Sequence, residues 1–372
     1  MKPGWHKVPF DAVIADESGG NIKTLQSEFL AAGHYAVVDQ GKELIAGYVN
    51  DESCLCRAQL PVIVFGDHTR CFKYVDFPFC MGADGIKILR PKIDADVKYL
   101  YHYFRQLRLT EGGYDRHFKY LKRVDVVLPP LPEQRRIAEV LDRTEALRTK
   151  RRASLVQLVA LTQSIFLDMF GDPIKNPHGF PVRPMIDLID PQRPISYGIL
   201  MPGPDQVEGV KYVRVVDMRN GGIELSGIRK TTEAISNSFR RSLLKPADLL
   251  MSIRGHVGRF AVVPPELDGA NITQDTARLA IVGASPVFVR ECLRTSGFQH
   301  WMAKHTKGVA VRGINLGDVK LMPVIFPPRR DQEEFARRAS AVENWQTSFS
   351  ASLTELTALF ASLQHRAFQG EL

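Results

Sequence analysis

The sequence predicts an α+β chain in which two pseudo-repeated β-rich domains are separated by two long helices forming an antiparallel coiled coil. Three observations carry this expectation. Residues 133–169 contain neither Gly nor Pro and are filled with Ala, Leu, Arg, Glu and Gln. That is a helix-forming composition sustained for about ten turns. A second stretch of the same kind, 327–372, repeats the first at a constant offset of 198 residues. The segments before them, 1–128 and 173–326, are built instead of short apolar runs broken by turn residues.

The first helical segment, 129–172, opens on Pro129, Pro130 and Pro132, where a missing N–H removes no helical hydrogen bond. Ile137, Leu141, Leu155, Leu158, Ile165 and Met169 recur near a 3.5-residue spacing and form an apolar seam, interrupted by Thr144, Arg148 and Arg151. Gly171-Asp172-Pro173 stops it. A helix this long needs something to bury its stripe against, and the repeat supplies it. Shifted by 198 residues, Pro327-Pro328 fall on Pro129-Pro130, Gln332 on Gln134, Ala336 on Ala138 and Phe368 on Phe170. Leu353, Leu356 and Leu359 fall on Leu155, Leu158 and Leu161. The second seam is cleaner: Phe335, Val342, Phe349, Leu353, Leu356, Phe360 and Leu363. Helices paired about a two-fold axis run antiparallel, which would return Leu372 to the first domain.

In the first domain, residues 33–48 alternate strand formers with glycine turns, and Leu60–Phe65 reads as a buried strand. Gly66-Asp67 is a turn, Cys71–Tyr74 the return strand, and Gly85–Leu89 another strand. Val97–Leu109 reads as a helix, and Arg123–Leu128 as the strand that leads into the prolines. The second domain follows the same plan. Strands are expected at Tyr212–Val216, in the run ending at Ser252, at Phe260–Val263, at Ala277–Val282 and at Leu321–Phe326. A helix is expected over Pro286–Met302, and a loop over 308–316.

At 44% hydrophobic content the 372 residues suffice for more than one core. The first ten residues lack the apolar centre of a signal peptide, and no run of 18 apolar residues occurs. A cytoplasmic protein without membrane contact is the expectation. The five cysteines, Cys54, Cys56, Cys71, Cys80 and Cys292, make no paired zinc pattern and are expected to be reduced. The net charge of +8 is unevenly placed: residues 173–326 carry 20 basic against 13 acidic side chains, and residues 1–128 carry 17 against 16. The helical segments sum to zero, so a phosphate-bearing partner would meet the second domain more strongly.

The chain resembles the specificity (S) subunits of type I restriction-modification enzymes. The residues that carry the resemblance are PPLPEQRRIAEVLD at 129–142, SIFLDMFGDP at 164–173, PISYGI at 194–199, YVRVVDM…GGI at 212–223 and SIRGHVGRFAVVP at 252–264. The similarity runs end to end, although the second proline entrance reads PPRRDQEE. By that resemblance the two β-rich domains are target recognition domains, each reading one half of a split DNA target. The helices dock methyltransferase (modification) subunits, restriction/translocase subunits join the complex, and S-adenosylmethionine and ATP/Mg belong to those partners rather than to this chain.

The DNA-binding candidates follow from residue chemistry. Arg254, His256 and Arg259 sit on a glycine-bent loop between strands, where Arg can take guanine bidentately through O6 and N7. His68, Arg70 and Lys73 occupy the counterpart in the first domain. Arg116 and Lys119, and Arg312 and Asn315, precede each domain's last strand, and Arg214 lies in the YVRVVDM run. A solvated hairpin tip is the competing reading of each loop. Arg148 and Arg151, charged on an apolar seam, are the candidates for partner docking.

Other classes lack their signatures. A stand-alone methyltransferase needs a glycine-rich cofactor loop and an N/D-P-P-F/Y tetrad. A nuclease needs clustered carboxylates, whereas Asp67, Asp76 and Asp84, with Lys73 or Lys87, are scattered. There is no P-loop. A coiled-coil scaffold explains the helices but not the duplicated domains. No catalytic residue and no metal site is expected. Thirty-seven helical residues span about 55 Å, or about 16 base pairs, so the helices are expected to act as a ruler between two read blocks.

Overall fold

The computed structural model describes residues 2–109, 116–219, 221–308 and 312–372. The chain divides into two compact units: Met1–Arg151 together with Ser352–Leu372, and Arg152–Ala351.

In the first unit, His6–Pro9 pairs antiparallel with Asp125–Leu128, tying the start of the domain to the strand that enters the first long helix. Two four-stranded sheets follow. One is wholly antiparallel, in the order Ile14–Asp16, Ile86–Pro91, Val62–Gly66, Phe72–Val75. Its central strand Val62–Gly66 is buried along its whole length, which is why it reads as an unbroken apolar run. In the other sheet, Phe79–Gly82 runs parallel to both Lys23–Thr24 and Tyr35–Val38, with Gly47–Val49 at the edge.

The helix Val97–Gln106 starts where the Asp96 carboxylate accepts from Tyr99 N at 2.8 Å. It lays Tyr99, Leu100, Tyr103 and Phe104 into a core with Trp5 and Phe10. Ile137 and Leu141 from the opening of the first long helix (Leu131–Phe170) share that core. So do Phe360 and Ala367 from the end of the last helix (Arg329–Gln369). The start of one helix meets the end of the other, so the pair is antiparallel here. The last residues close on the same unit: Arg136 Nη2 donates to Leu372 O at 2.6 Å.

The second unit repeats the plan. Val182–Pro184 pairs with Pro323–Ile325, and an antiparallel sheet runs Ser196–Tyr197, Thr276–Leu279, Leu249–Ser252, Phe260–Val262. In a third sheet Val210–Val213 runs parallel to Asn271–Ile272 and antiparallel to Arg229–Thr231. Helix Pro286–Arg294 is capped by Ser285. Phe166 and Phe170 from the end of the first long helix pack edge-on against Phe335 from the start of the second, with centroids 5.4 and 5.9 Å apart, and Phe288 joins them. Each buried ring contributes roughly 1.5–3 kcal/mol. The antiparallel pairing therefore recurs.

The helix expected to reach Leu109 ends at Gln106 and the strand expected to reach Val282 ends at Leu279, and two further differences have a local cause. The helix expected over 286–302 breaks at Thr295, which adopts φ −60°, ψ 150° and caps a new helix, Ser296–His305. Its hydroxyl accepts from Phe298 N, so a Thr read as interior is a boundary. The strand expected to reach Val216 stops at Val213, because the Asp217 carboxylate takes Arg214 N at 2.8 Å and folds 215–217 into a turn.

The first long helix contains an 18-residue stretch apolar enough in composition to cross a membrane, with a mean hydropathy of 1.5. In the structure its Phe166 and Phe170 belong to the protein core of the second unit. All five cysteines are free thiols. Burial raises the Cys80 thiol to about 11 and the Cys292 thiol to about 12, which leaves both protonated at neutral pH.

Candidate nucleic-acid interface

The loop 253–259 of the second unit joins Leu249–Ser252 to Phe260–Val262. Ser252 holds it from inside, its Oγ accepting from Arg259 N at 2.8 Å and donating to His256 O. Gly258 N donates to Ser252 O at 3.1 Å. Gly255 and Gly258 take φ +70° and +89°, and a Cβ on Gly258 would lie 2.8 Å from Gln299 Oε1. Both glycines are therefore required by the turn.

The neighbouring segment is laced to this loop: Gly255 N donates to Arg312 O at 3.0 Å, and Ile314 N to Ile253 O at 2.9 Å. The structure thus brings together 254–259 and 312–315, two groups far apart in sequence. Arg254, His256 and Arg312 are exposed. Arg254 Nη1 donates to Gln274 Oε1 at 3.3 Å, while Arg259 is half-buried with its Nη1 on Val215 O at 3.3 Å.

The first unit makes the equivalent junction with different residues. Between Val62–Gly66 and Phe72–Val75, Arg70 N donates to Gly66 O at 2.8 Å and Arg70 takes φ +62°. Asp67 is buried and acts as the staple: its Oδ1 accepts from Phe118 N at 2.7 Å, and its carbonyl accepts from His117 N and Nδ1, both at 2.9 Å. His68, Arg70, Arg116 and Lys119 come together on this side, all exposed, with Lys119 Nζ 5.0 Å above the Tyr120 ring.

Three candidates prove to have structural duties. Lys73 is 5% exposed and donates to Asp39 O at 2.7 Å and Asp39 Oδ1 at 3.2 Å, so its charge is spent on closing the loop after Tyr35–Val38. Arg214 grips Asp217 bidentately (Nε to Oδ2 3.0 Å, Nη2 to Oδ1 2.7 Å) and reaches Gly227 O. That pairing raises its pKa further and holds the fork against the protein. Asn315 caps Leu316–Lys320, its Oδ1 accepting from Asp318 N at 2.9 Å. Arg148 is also turned to its own unit, bonded to Glu145 at 2.6 Å with its guanidinium 4.6 Å from the Phe360 ring. Arg151 is half-buried. Val311, in the second-unit loop, lies outside the described residues.

Each junction borders a cleft. In the second unit, one cleft of about 550 Å³ is lined by His256, Gln299, Met302 and Arg312, and another of about 730 Å³ by Arg219, Arg259, Phe260, Arg294 and Gln299. In the first unit a cleft of about 690 Å³ is lined by Lys42, Arg70, Cys71, Phe72, Arg105 and Arg108. A domain with a net charge near zero therefore gathers four cations at one place. Lys42, Arg105, Arg108, Arg219 and Arg294 were not singled out from sequence, because each stands in an unremarkable polar stretch. The two capped helices lie 189 residues apart, and that offset pairs Arg105 with Arg294.

The carboxylates do not gather. Asp84 pairs with Lys23, Lys87 with Asp16, and Asp67 with backbone. Among the described residues no three His, Cys, Asp or Glu side chains are placed to hold a metal ion.

An α+β protein with duplicated cationic loop junctions on paired helices is the class this geometry defines. Residues 19–157 match the family described as the type I restriction modification DNA specificity domain. The chain is 29% identical over 279 residues to the EcoBI specificity subunit of Escherichia coli, covering 66% of this chain and 58% of that protein. It is 31% identical over 132 residues to the EcoR124I/EcoR124II specificity subunit of the same organism, covering 32% and 33%. The chain thus spans just over half the length of the first relative and a third of the second. In fold it is similar to the S subunit from M. genitalium, with TM-score 0.62 at 13% identity over 98% and 96% of the two chains. It is also similar to a chain from a type I restriction-modification complex, with TM-score 0.52 at 14% identity over 100% and 99%. Over the matched residues the chain is similar to type I restriction-modification specificity subunits.

Proposed function

We propose that this chain supplies DNA sequence specificity to a type I restriction-modification system in the cytoplasm. Each unit reads one block of a bipartite target, and the helices dock methyltransferase subunits, with restriction subunits completing the assembly. The chemistry, with its S-adenosylmethionine and ATP/Mg, belongs to those partners, and this chain is non-catalytic. The observation that carries the reading is the duplicated junction: in both units a strand-connecting loop is stapled to a second segment, and the pair presents exposed cations beside a cleft. Phosphate contacts hold such a surface on the duplex while loop tips reach base edges.

Mapping methylated positions in host DNA tests this. The expected result is two short blocks separated by an unread spacer, lost when the gene is deleted. A methylation pattern unaffected by the deletion would remove the reading.

A further inference from the structure

We propose that Arg105 and Arg294 are paired backbone anchors, each taking a phosphate of duplex DNA in the cleft of its own unit. The inference rests on the DNA-reading function above and names the contact those two clefts make.

The two residues occupy one structural position. Helix Val97–Gln106 is capped by Asp96 and helix Pro286–Arg294 by Ser285, and each arginine lies nine residues beyond its cap. Opposite them, Phe72 and Phe260 occupy the same place, each on the strand returning from the loop. Phe72 and Arg105 line one cleft, Phe260 and Arg294 the other. Among the described residues no carboxylate lines either cleft.

Both guanidiniums are oriented before any ligand arrives. Arg105 is exposed and lies over the Tyr101 ring at 5.1 Å. Arg294 is 22% exposed and held by Glu291 at 2.8 Å. Its Nη1 lies 2.8 Å from where a Cβ on Gly221 would sit, so the backbone there approaches as only glycine allows. A planar fork already held in place loses little freedom on meeting a phosphate.

The duplication decides between phosphate and base. The loop tips differ, His68-Thr69-Arg70 in one unit and His256-Val257-Gly258 in the other. A residue kept at the same place beneath both tips recognises what two different half-sites share, which is the sugar-phosphate backbone.

The test uses the 372-residue chain with two 30-base-pair duplexes, one bearing the methylated motif and one scrambled, in anisotropy titrations from 50 to 200 mM salt. Arg105→Gln and Arg294→Gln should each weaken both duplexes in parallel. Each should narrow the affinity lost across that salt range by about 3-fold, the effect of one phosphate contact. The methylated motif should stay the same. Arg294→Gln retains a donor for Glu291, and thermal melting checks its fold. Arg105 is exposed, so its variant carries the test if the other unfolds. Wild-type binding with unchanged variants, or variants with an altered motif, overturns the inference alone. Wild-type chain that retains neither duplex overturns the DNA reading and this inference with it.

Discussion

Gln134 and Gln332 make the same two hydrogen bonds in the two units. Gln134 Oε1 accepts from Asp96 N at 2.9 Å and its Nε2 donates to Pro129 O at 2.8 Å. Gln332 Oε1 accepts from Ser285 N at 3.1 Å and its Nε2 donates to Pro327 O at 2.9 Å. Both amides are buried, and each ties the cap of a cleft helix to the proline entrance of a long helix. Replacing either by Ala leaves a buried proline carbonyl and the N–H of Asp96 or Ser285 unsatisfied and should cost about 2–4 kcal/mol. Chemical denaturation should show losses of similar size at both sites. A neutral effect at either would show that water fills the gap without cost.

Arg254 is the exposed guanidinium at the tip of the second-unit loop. Arg254→Ala should relax one position of the block read by that unit and weaken binding there by roughly 1–3 kcal/mol. Methylation sequencing checks it; an unchanged motif at unchanged affinity would make the tip a bystander.

Arg148 and Arg151 should separate on charge reversal. Arg148 packs on Phe360 and pairs with Glu145, so Arg148→Glu should destabilise the helix pair by about 1–3 kcal/mol without any partner present. Arg151→Glu should reduce co-purification with methyltransferase, with thermal melting as the check on its fold. Full co-purification would remove Arg151 from the docking surface.

Asp142 faces buried His102 at 2.7 Å and Lys98 at 2.6 Å. Burial alone would raise its pKa, but the hydrogen bonds from His102 and Lys98 outweigh it and hold the carboxyl below its ordinary value. The stabilisation is therefore present above the unfolded pKa of about 3.9 and lost as pH falls through the lower folded value. Asp142→Asn should cost about 1–2 kcal/mol at neutral pH, allowing for the partial exposure of the carboxylate. The difference between wild type and variant should shrink on acidification from pH 5 to 2.5. A constant difference across that range would show that the ion pair is not its source.

Deleting one heptad from both long helices removes about 10 Å, or roughly 3 base pairs. The spacer between the read blocks should shorten by that much while both blocks persist. An unchanged spacer in a folded, active variant would assign the spacing to another element.

The long helices were legible because composition and apolar period agree over many turns, and the repeat because Gln332 sits where Gln134 predicts. The strand plan was legible from buried runs such as Val62–Gly66. What sequence missed depends on contacts between distant segments. Lys73 looked like an exposed loop cation until Asp39 was seen beside it. Arg214 was drawn in by Asp217, and Arg105 was invisible because nothing local marks a cleft. Charge counted over a whole domain concealed the four cations gathered in the first unit.

Trp5 and Phe360 share one core, although 354 residues separate them in sequence. During synthesis the second unit has its whole chain once Ala351 has left the ribosome, whereas the first must wait for Ala367. The part made first is therefore finished last. A nascent chain holds an open apolar surface around Ile137 and Leu141 until the closing helix arrives, and a late frameshift would strike the earliest-made domain.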